Sequence, residues 1–220
     1  MSDSFWERPE IVEQFASRAP DHRLVALLDQ YQTPADVRVL DLGCAGGRNT
    51  TLLAERGFDV WALDSSARMV EHTRERVAPI LGVDAARQRV RIVRMDDLTT
   101  FNDGTFALVV SLGVFHNARS WPEWERAVAE TARVLEGGGL LLANQFTPEV
   151  DLTGEGVRAV TGERHVYEGL SDGRGVLLDA DDLDEAIAQF GLFPATPSQT
   201  VRVETEHGRR VSVNALYTRK

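Results

Sequence analysis

A single cysteine, Cys44, in 220 residues excludes an internal disulfide, so the fold must be held by its core. No run of about 18 consecutive apolar residues occurs, which excludes a spanning helix. The opening Met-Ser-Asp-Ser-Phe-Trp-Glu-Arg likewise has no apolar stretch of signal-peptide length. Positive charge is scarce: 24 Lys and Arg stand against 34 Asp and Glu, and the resulting formal charge of −10 repels a phosphate backbone or an anionic lipid surface. None of the five histidines lies at metal-ligand spacing from another His, Cys or acid. These deficits predict a cytoplasmic protein with no metal, no nucleic-acid partner and no membrane partner. Internal repeats and low-complexity segments are also missing.

What the chain has is material for one core. Apolar residues make up 43% of it, and a chain of this length buries roughly 70 per cent of its unfolded surface. Strand-like apolar runs fall at 37–42, 58–63, 90–95, 106–112 and 140–146, and helical periodicity at 67–77 and 121–135 lies between them. That alternation predicts an α/β fold with a mostly parallel sheet and helices on both faces; the runs are continuous, as doubly covered strands require. After 146 the pattern gives way to a Gly-rich, mixed-charge stretch, 153–175, that reads as an excursion over the sheet. A helix at 181–190 follows, stopped by Gly191. Two β-rich segments, 198–204 and 210–217, are joined across Glu206-His207-Gly208 as a terminal hairpin. The chain thus divides into a helical cap at 1–34, a core at 35–146, an excursion at 147–180 and a closing helix and hairpin at 181–220.

The first strand runs into Asp41-Leu42-Gly43-Cys44-Ala45-Gly46-Gly47, an acid followed by a loop of very small residues. Such a loop lets a ligand approach the backbone, and the N–H groups opening the next helix can receive its polar atoms. The other reading is a tight strand-to-helix turn with no ligand. A dinucleotide fingerprint spaces its third glycine three residues beyond its second; here the small residues fall at 43, 45 and 47 after Asp41, which suits a cofactor with an amino group and no pyrophosphate. The second strand ends at Asp64, where a carboxylate can accept from both hydroxyls of a ribose.

Taken together, these motifs, the 106–111 run Phe-Ala-Leu-Val-Val-Ser and the 133–139 run Arg-Val-Leu-Glu-Gly-Gly-Gly resemble the class I S-adenosylmethionine-dependent methyltransferases. The 40–49 run and the chain end from Gly208 most resemble the tellurite-resistance (TehB-type) small-molecule methyltransferases. The resemblance implies a Rossmann-like, seven-stranded, mostly parallel sheet whose C-terminal hairpin places one antiparallel strand. It implies S-adenosyl-L-methionine as cofactor and S-adenosyl-L-homocysteine as product. It gives Asp41, Gly43, Cys44, Ala45 and Gly47 to the methionine half, Asp64 to the ribose, and Ser65, Met69 and Met95 to the adenine side, with Ser111 at the end of the fourth strand. Ala45 replaces a glycine and is tolerated there at negative φ. Arg94 stands where the family carries an adenine-binding Asp, so that role falls to Asp96 or Asp97 in a shifted register, or to backbone and packing alone.

Methyl transfer asks for alignment, exclusion of water and sometimes a base. His116, just beyond the fourth strand, is the candidate base; its alternative is a histidine bonded within a loop. Trp6, Arg8, Arg164 and Tyr167 are candidates for the acceptor side, with packing or solvated roles as their alternatives. The expected activity is methyl transfer to a small-molecule acceptor. A nicotinamide-dependent oxidoreductase and a catalytically silent cofactor-binding module remain as competing classes.

Overall fold

The computed structural model describes residues 5–171, 173–206 and 208–220. His207, in the expected hairpin joint, lies outside the described residues.

Seven strands form one sheet. They are β1 (Arg38–Leu42), β2 (Asp59–Asp64), β3 (Val90–Ile92), β4 (Phe106–Leu112), β5 (Leu135–Phe146), β9 (Leu192–Thr205) and β10 (Gly208–Arg219). Their order is β3-β2-β1-β4-β5-β10-β9, with β1 to β5 parallel and β10 antiparallel to both of its neighbours. Sheet order reverses at β1, which pairs with β2 on one side and β4 on the other, and a crevice opens above the carboxyl ends of these strands.

Alternation along the strands explains the two covered faces. Val39, Val60, Leu108 and Val110 pack with Leu24 and Leu28 of α2 (His22–Leu28) and Leu53 of α3 (Arg48–Glu55). Leu40, Leu63, Val109 and Leu141 meet Trp124 and Val128 of α6 (Trp121–Val134) and Leu183 and Ile187 of α7 (Ala180–Ala188) on the other face. Each such side chain, fully buried, contributes about 1.5–3 kcal/mol. Two further helices, α4 (Ala67–Leu81) and α5 (Val83–Arg89), precede β3, and α1 (Pro9–Ala16) begins the chain after a 3₁₀ turn at Phe5–Glu7.

Several elements differ from expectation. The third strand stops at Ile92 rather than 95: Val93 still donates to the Asp64 carbonyl, and the chain then leaves the sheet. β5 begins at Leu135, five residues early, because the Gly137-Gly138-Gly139 run bulges within the strand; Phe106 faces Leu135 and Leu108 faces Leu140. The excursion contains a small antiparallel sheet of its own, β6 (Arg158–Ala159), β7 (Val166–Leu170) and β8 (Gly173–Val176).

Candidate active site

The small-residue loop closes back onto β2. Gly43 and Cys44 both donate their N–H groups to the Leu63 carbonyl, at 2.7 and 2.9 Å. Asp64 then clasps the loop with both carboxylate oxygens: Oδ2 accepts from the Ala45 N–H and Oδ1 from the Ser66 N–H, each at 2.9 Å. Gly43 and Gly47 have φ of +74° and +80°, and a Cβ on Gly43 would collide with Val114. Ala45 also has positive φ, +47°, contrary to the negative value at which an alanine is tolerated there, so the loop carries strain at this residue. The Thr73 hydroxyl donates to the Ala45 carbonyl at 2.7 Å and pins that conformation.

Above the loop lies a cavity of about 250 Å³. Of the residues singled out from sequence, Trp6, Gly43, Cys44, Ala45, Asp64, Ser65, Met69 and Met95 line it. Phe15, stacked edge-on against Trp6 at 5.4 Å, lines it from the cap. Burial pushes the Asp64 carboxyl above its usual range, against the pull of the backbone N–H groups of Ser66, Ala45 and Ser65; Glu7 adds to the rise.

The other candidates stand apart from the cavity. Asp41 is buried beneath the loop, where its Oδ2 accepts from the Thr50 hydroxyl at 2.6 Å; burial is the main reason its pKa rises to about 6. Gly47 caps α3 against Thr73. Ser111 is fully buried in β4, its hydroxyl without a partner among the described residues. Asp96 is held by two guanidinium groups, Arg94 at 2.9 Å and Arg126 at 3.2 Å. Asp97 accepts from the Thr99 hydroxyl in an exposed turn. Among the acceptor-side candidates, Arg8 precedes α1 as its N-cap residue, Arg164 lies 4.3 Å over the Trp121 ring, and Tyr167 belongs to the small sheet.

His116, the candidate base, packs against the end of β5. Its ring is stacked on Phe146 at 4.0 Å, its Nδ1 accepts from the Phe146 N–H at 3.3 Å, and burial pushes its pKa down to about 3. The imidazole is neutral at ordinary pH, is committed to packing and does not line the cavity. Cys44 is equally unsuited to reaction: burial, with Asp64 and Asp41 nearby, pushes its thiol well above the usual range.

Five polar lining residues were absent from the expectation: Arg48, Asn49, Asn117, Arg119 and Glu123. Glu123 carries the clearest signal, because Ser120-Trp-Pro-Glu123 is a capping box, and the Ser120 hydroxyl accepts from the Glu123 N–H. Its carboxylate accepts from Arg94 Nη2 at 2.6 Å and from the Arg119 N–H at 2.8 Å.

Residues 39–139 match the methyltransferase domain family. An uncharacterized methyltransferase of Mycobacterium tuberculosis (strain ATCC 25618 / H37Rv) is 35% identical over 104 residues, 47% of this chain and 37% of that protein. The trans-aconitate 2-methyltransferase of Rhodococcus jostii (strain RHA1) is 46% identical over 76 residues, 32% of this chain and 28% of that one. The matches thus span about a third of these curated relatives. A solved structure of a SAM-dependent methyltransferase from Methanosarcina mazei superposes with a TM-score of 0.68 at 17% identity, covering 88% of this chain and 96% of that one, a likeness of fold. That domain match, which spans a little under half of the chain, the reversal of sheet order at β1 and the small-residue loop clasped by a strand-end acid together support a class I S-adenosylmethionine-dependent methyltransferase.

Proposed function

We propose that this protein transfers the methyl group of S-adenosylmethionine to a small-molecule acceptor. The observation that carries the proposal is the Asp64 clasp: each carboxylate oxygen takes one backbone N–H and keeps a further lone pair for a hydroxyl, in a cavity lined by both apolar and polar side chains. The donor set fits the cofactor. Asp64 would hold the ribose hydroxyls, and the loop at 43–47 the methionine half. Ser65, Met69 and the 93–95 edge would flank adenine. With Asp96 engaged by two arginines, backbone and packing are the better-supported means of holding that ring.

When bound, the cofactor supplies an activated methyl: its carbon–sulfur bond breaks with the electron pair passing to sulfur, while an acceptor lone pair forms the new bond. The chain's part is to bind, orient and keep water out. Trp6 and Phe15 bring aromatic faces to the cavity, suited to a sulfonium cation. Orientation of this kind supplies effective molarities of about 10⁵ M or more. His116 supplies no base in this scheme, so the acceptor arrives already nucleophilic or gives its proton to water.

Calorimetric titration tests the proposal. Micromolar binding of S-adenosylmethionine and S-adenosylhomocysteine, with none of NAD, is expected. Asp64→Ala should weaken both by at least about tenfold, because a hydrogen bond to a charged group contributes roughly 1.5–3 kcal/mol. A wild-type chain that binds NAD and neither methionine-derived ligand refutes it.

A further inference from the structure

We propose that the second half of β9 pairs antiparallel with the same segment of a second copy of this chain, forming a twofold-symmetric dimer with Val203 on the axis. β9 ends the seven-stranded sheet, with β10 on one side and no strand on the other. The opposite edge, β3, is only three residues long. Pro194 and Pro197 interrupt the first half of β9, as prolines do at exposed sheet edges. Its second half, 199–205, has no proline. Among the described residues, no backbone group of that stretch bonds outside the ladder with β10.

The bonding of β10 decides which groups of β9 face the open edge. Arg209 exchanges both of its backbone bonds with Asp151, at 2.6 and 2.8 Å, and the Val211 carbonyl accepts from the Thr147 N–H. Both residues therefore turn these groups away from β9. Their partners in register are Glu204 and Arg202, so it is these two residues that aim N–H and C=O at the free edge. Alternation then divides the side chains: Arg202 and Glu204 project to one face, and Val201, Val203 and Thr205 to the other.

Two antiparallel copies join these outward groups only in registers that set even-numbered residues against even-numbered ones. A register centred on Arg202 opposes two arginines, and one centred on Glu204 opposes two glutamates; both are unfavourable. A register centred on Val201 sets Arg202 against the partner's Thr200, which carries no charge. Centred on Val203, Arg202 faces the partner's Glu204 and Glu204 faces the partner's Arg202, each pair exchanging two backbone bonds. The side chains are open to this. Glu204 is exposed and forms no ion pair among the described residues. Arg202 holds Glu149 through Nε and Nη2, at 3.3 and 2.8 Å, which orients the guanidinium and leaves Nη1 without a bond among the described residues. On the other face Val203, 40% exposed, would meet its own copy and leave solvent. Edge charges ordinarily guard against pairing; here their signs alternate at the spacing a twofold axis makes self-complementary.

Sedimentation velocity of the 220-residue chain over about 1–200 µM, at fixed ionic strength, tests the pairing, and a monomer–dimer equilibrium is expected. Glu204→Arg and Arg202→Glu each oppose like charges twice across the axis, and each should raise the dimer Kd by about tenfold or more. The double exchange restores opposite signs. Made in a Glu149→Gln background, so that the new acid meets no neighbouring carboxylate, it should return Kd to within about threefold of wild type. Glu204→Pro removes an N–H aimed at the edge and none from the β9–β10 ladder; it should abolish the dimer with the circular-dichroism spectrum unchanged. A wild type that stays monomeric throughout the range overturns the proposal. So does a dimer indifferent to both Glu204 variants, or one that the double exchange fails to rescue. No cofactor or acceptor enters the measurement, so its outcome is independent of the methyl-transfer proposal.

Discussion

Replacing Asp41 by asparagine should change how stability depends on pH. The Asp41 carboxyl is fully buried under the small-residue loop, and its pKa rises from 3.8 to about 6. Burial is the largest cause, opposed by the Thr50 hydroxyl and by the charge of Arg48 and reinforced by Asp64. The sign follows from proton binding: between the two values the folded chain holds a proton that the unfolded chain has lost, so stability falls as pH rises through that window. At roughly 1.4 kcal/mol per pKa unit, the fall comes to about 3 kcal/mol over the whole titration and about 2.4 kcal/mol between pH 4 and pH 7. Asparagine keeps an oxygen to accept from Thr50 and carries no charge. Urea denaturation of the wild type and Asp41→Asn at a series of pH values isolates the contribution, because every other titrating group is common to both. The variant should gain about 2.4 kcal/mol on the wild type between pH 4 and pH 7, even if it is the less stable of the two at pH 4. Parallel stability curves would show that Asp41 titrates normally and that its burial has been misjudged.

Other substitutions probe neighbouring parts of the site. Ala45→Gly should relieve about 1–2 kcal/mol of left-handed strain at a cost of about 0.5–1 kcal/mol in chain entropy. Tm should therefore rise by about 2 °C, and a lower Tm would contradict the strain. His116→Phe preserves a ring against Phe146 and should leave kcat/KM within about threefold, with no change in the pH profile near neutrality. A loss of about 100-fold or more would restore His116 as a base.

Much of the fold was legible because it rests on local pattern. Continuous apolar runs marked five of the seven sheet strands, since a doubly covered strand needs apolar residues on both faces, and Asp41 and Asp64 marked where two of them end. Misjudged boundaries have physical reasons. The expected strand began only after the three consecutive glycines, yet they are accommodated as a bulge inside β5. Pro194 and Pro197 concealed the first half of β9; it lies at the sheet edge, where proline's missing N–H is tolerated. In the site, the loop and the β2 terminus were legible as neighbours within one βαβ unit. Glu123 and Arg48 enter the cavity from helix starts, and their place beside residues of other elements is made only by folding. For His116 the place after β4 was legible, but nothing local told that Phe146 would cover its ring.

The contact between the cap and the loop has a consequence for any attempt to trim this protein. Gly46, which sequence alone assigns to ligand approach, is occupied by the cap: a Cβ there would lie 2.6 Å from Ala16. Arg76 bridges the carbonyls of Ala16 and Gly46, and Asn49 accepts from the Asp21 N–H. The cap segment from Ala16 to Asp21 and the loop are thus two halves of one joint. A chain shortened to its sheet and helices would keep every strand of the large sheet but leave the loop without the surface it is shaped against.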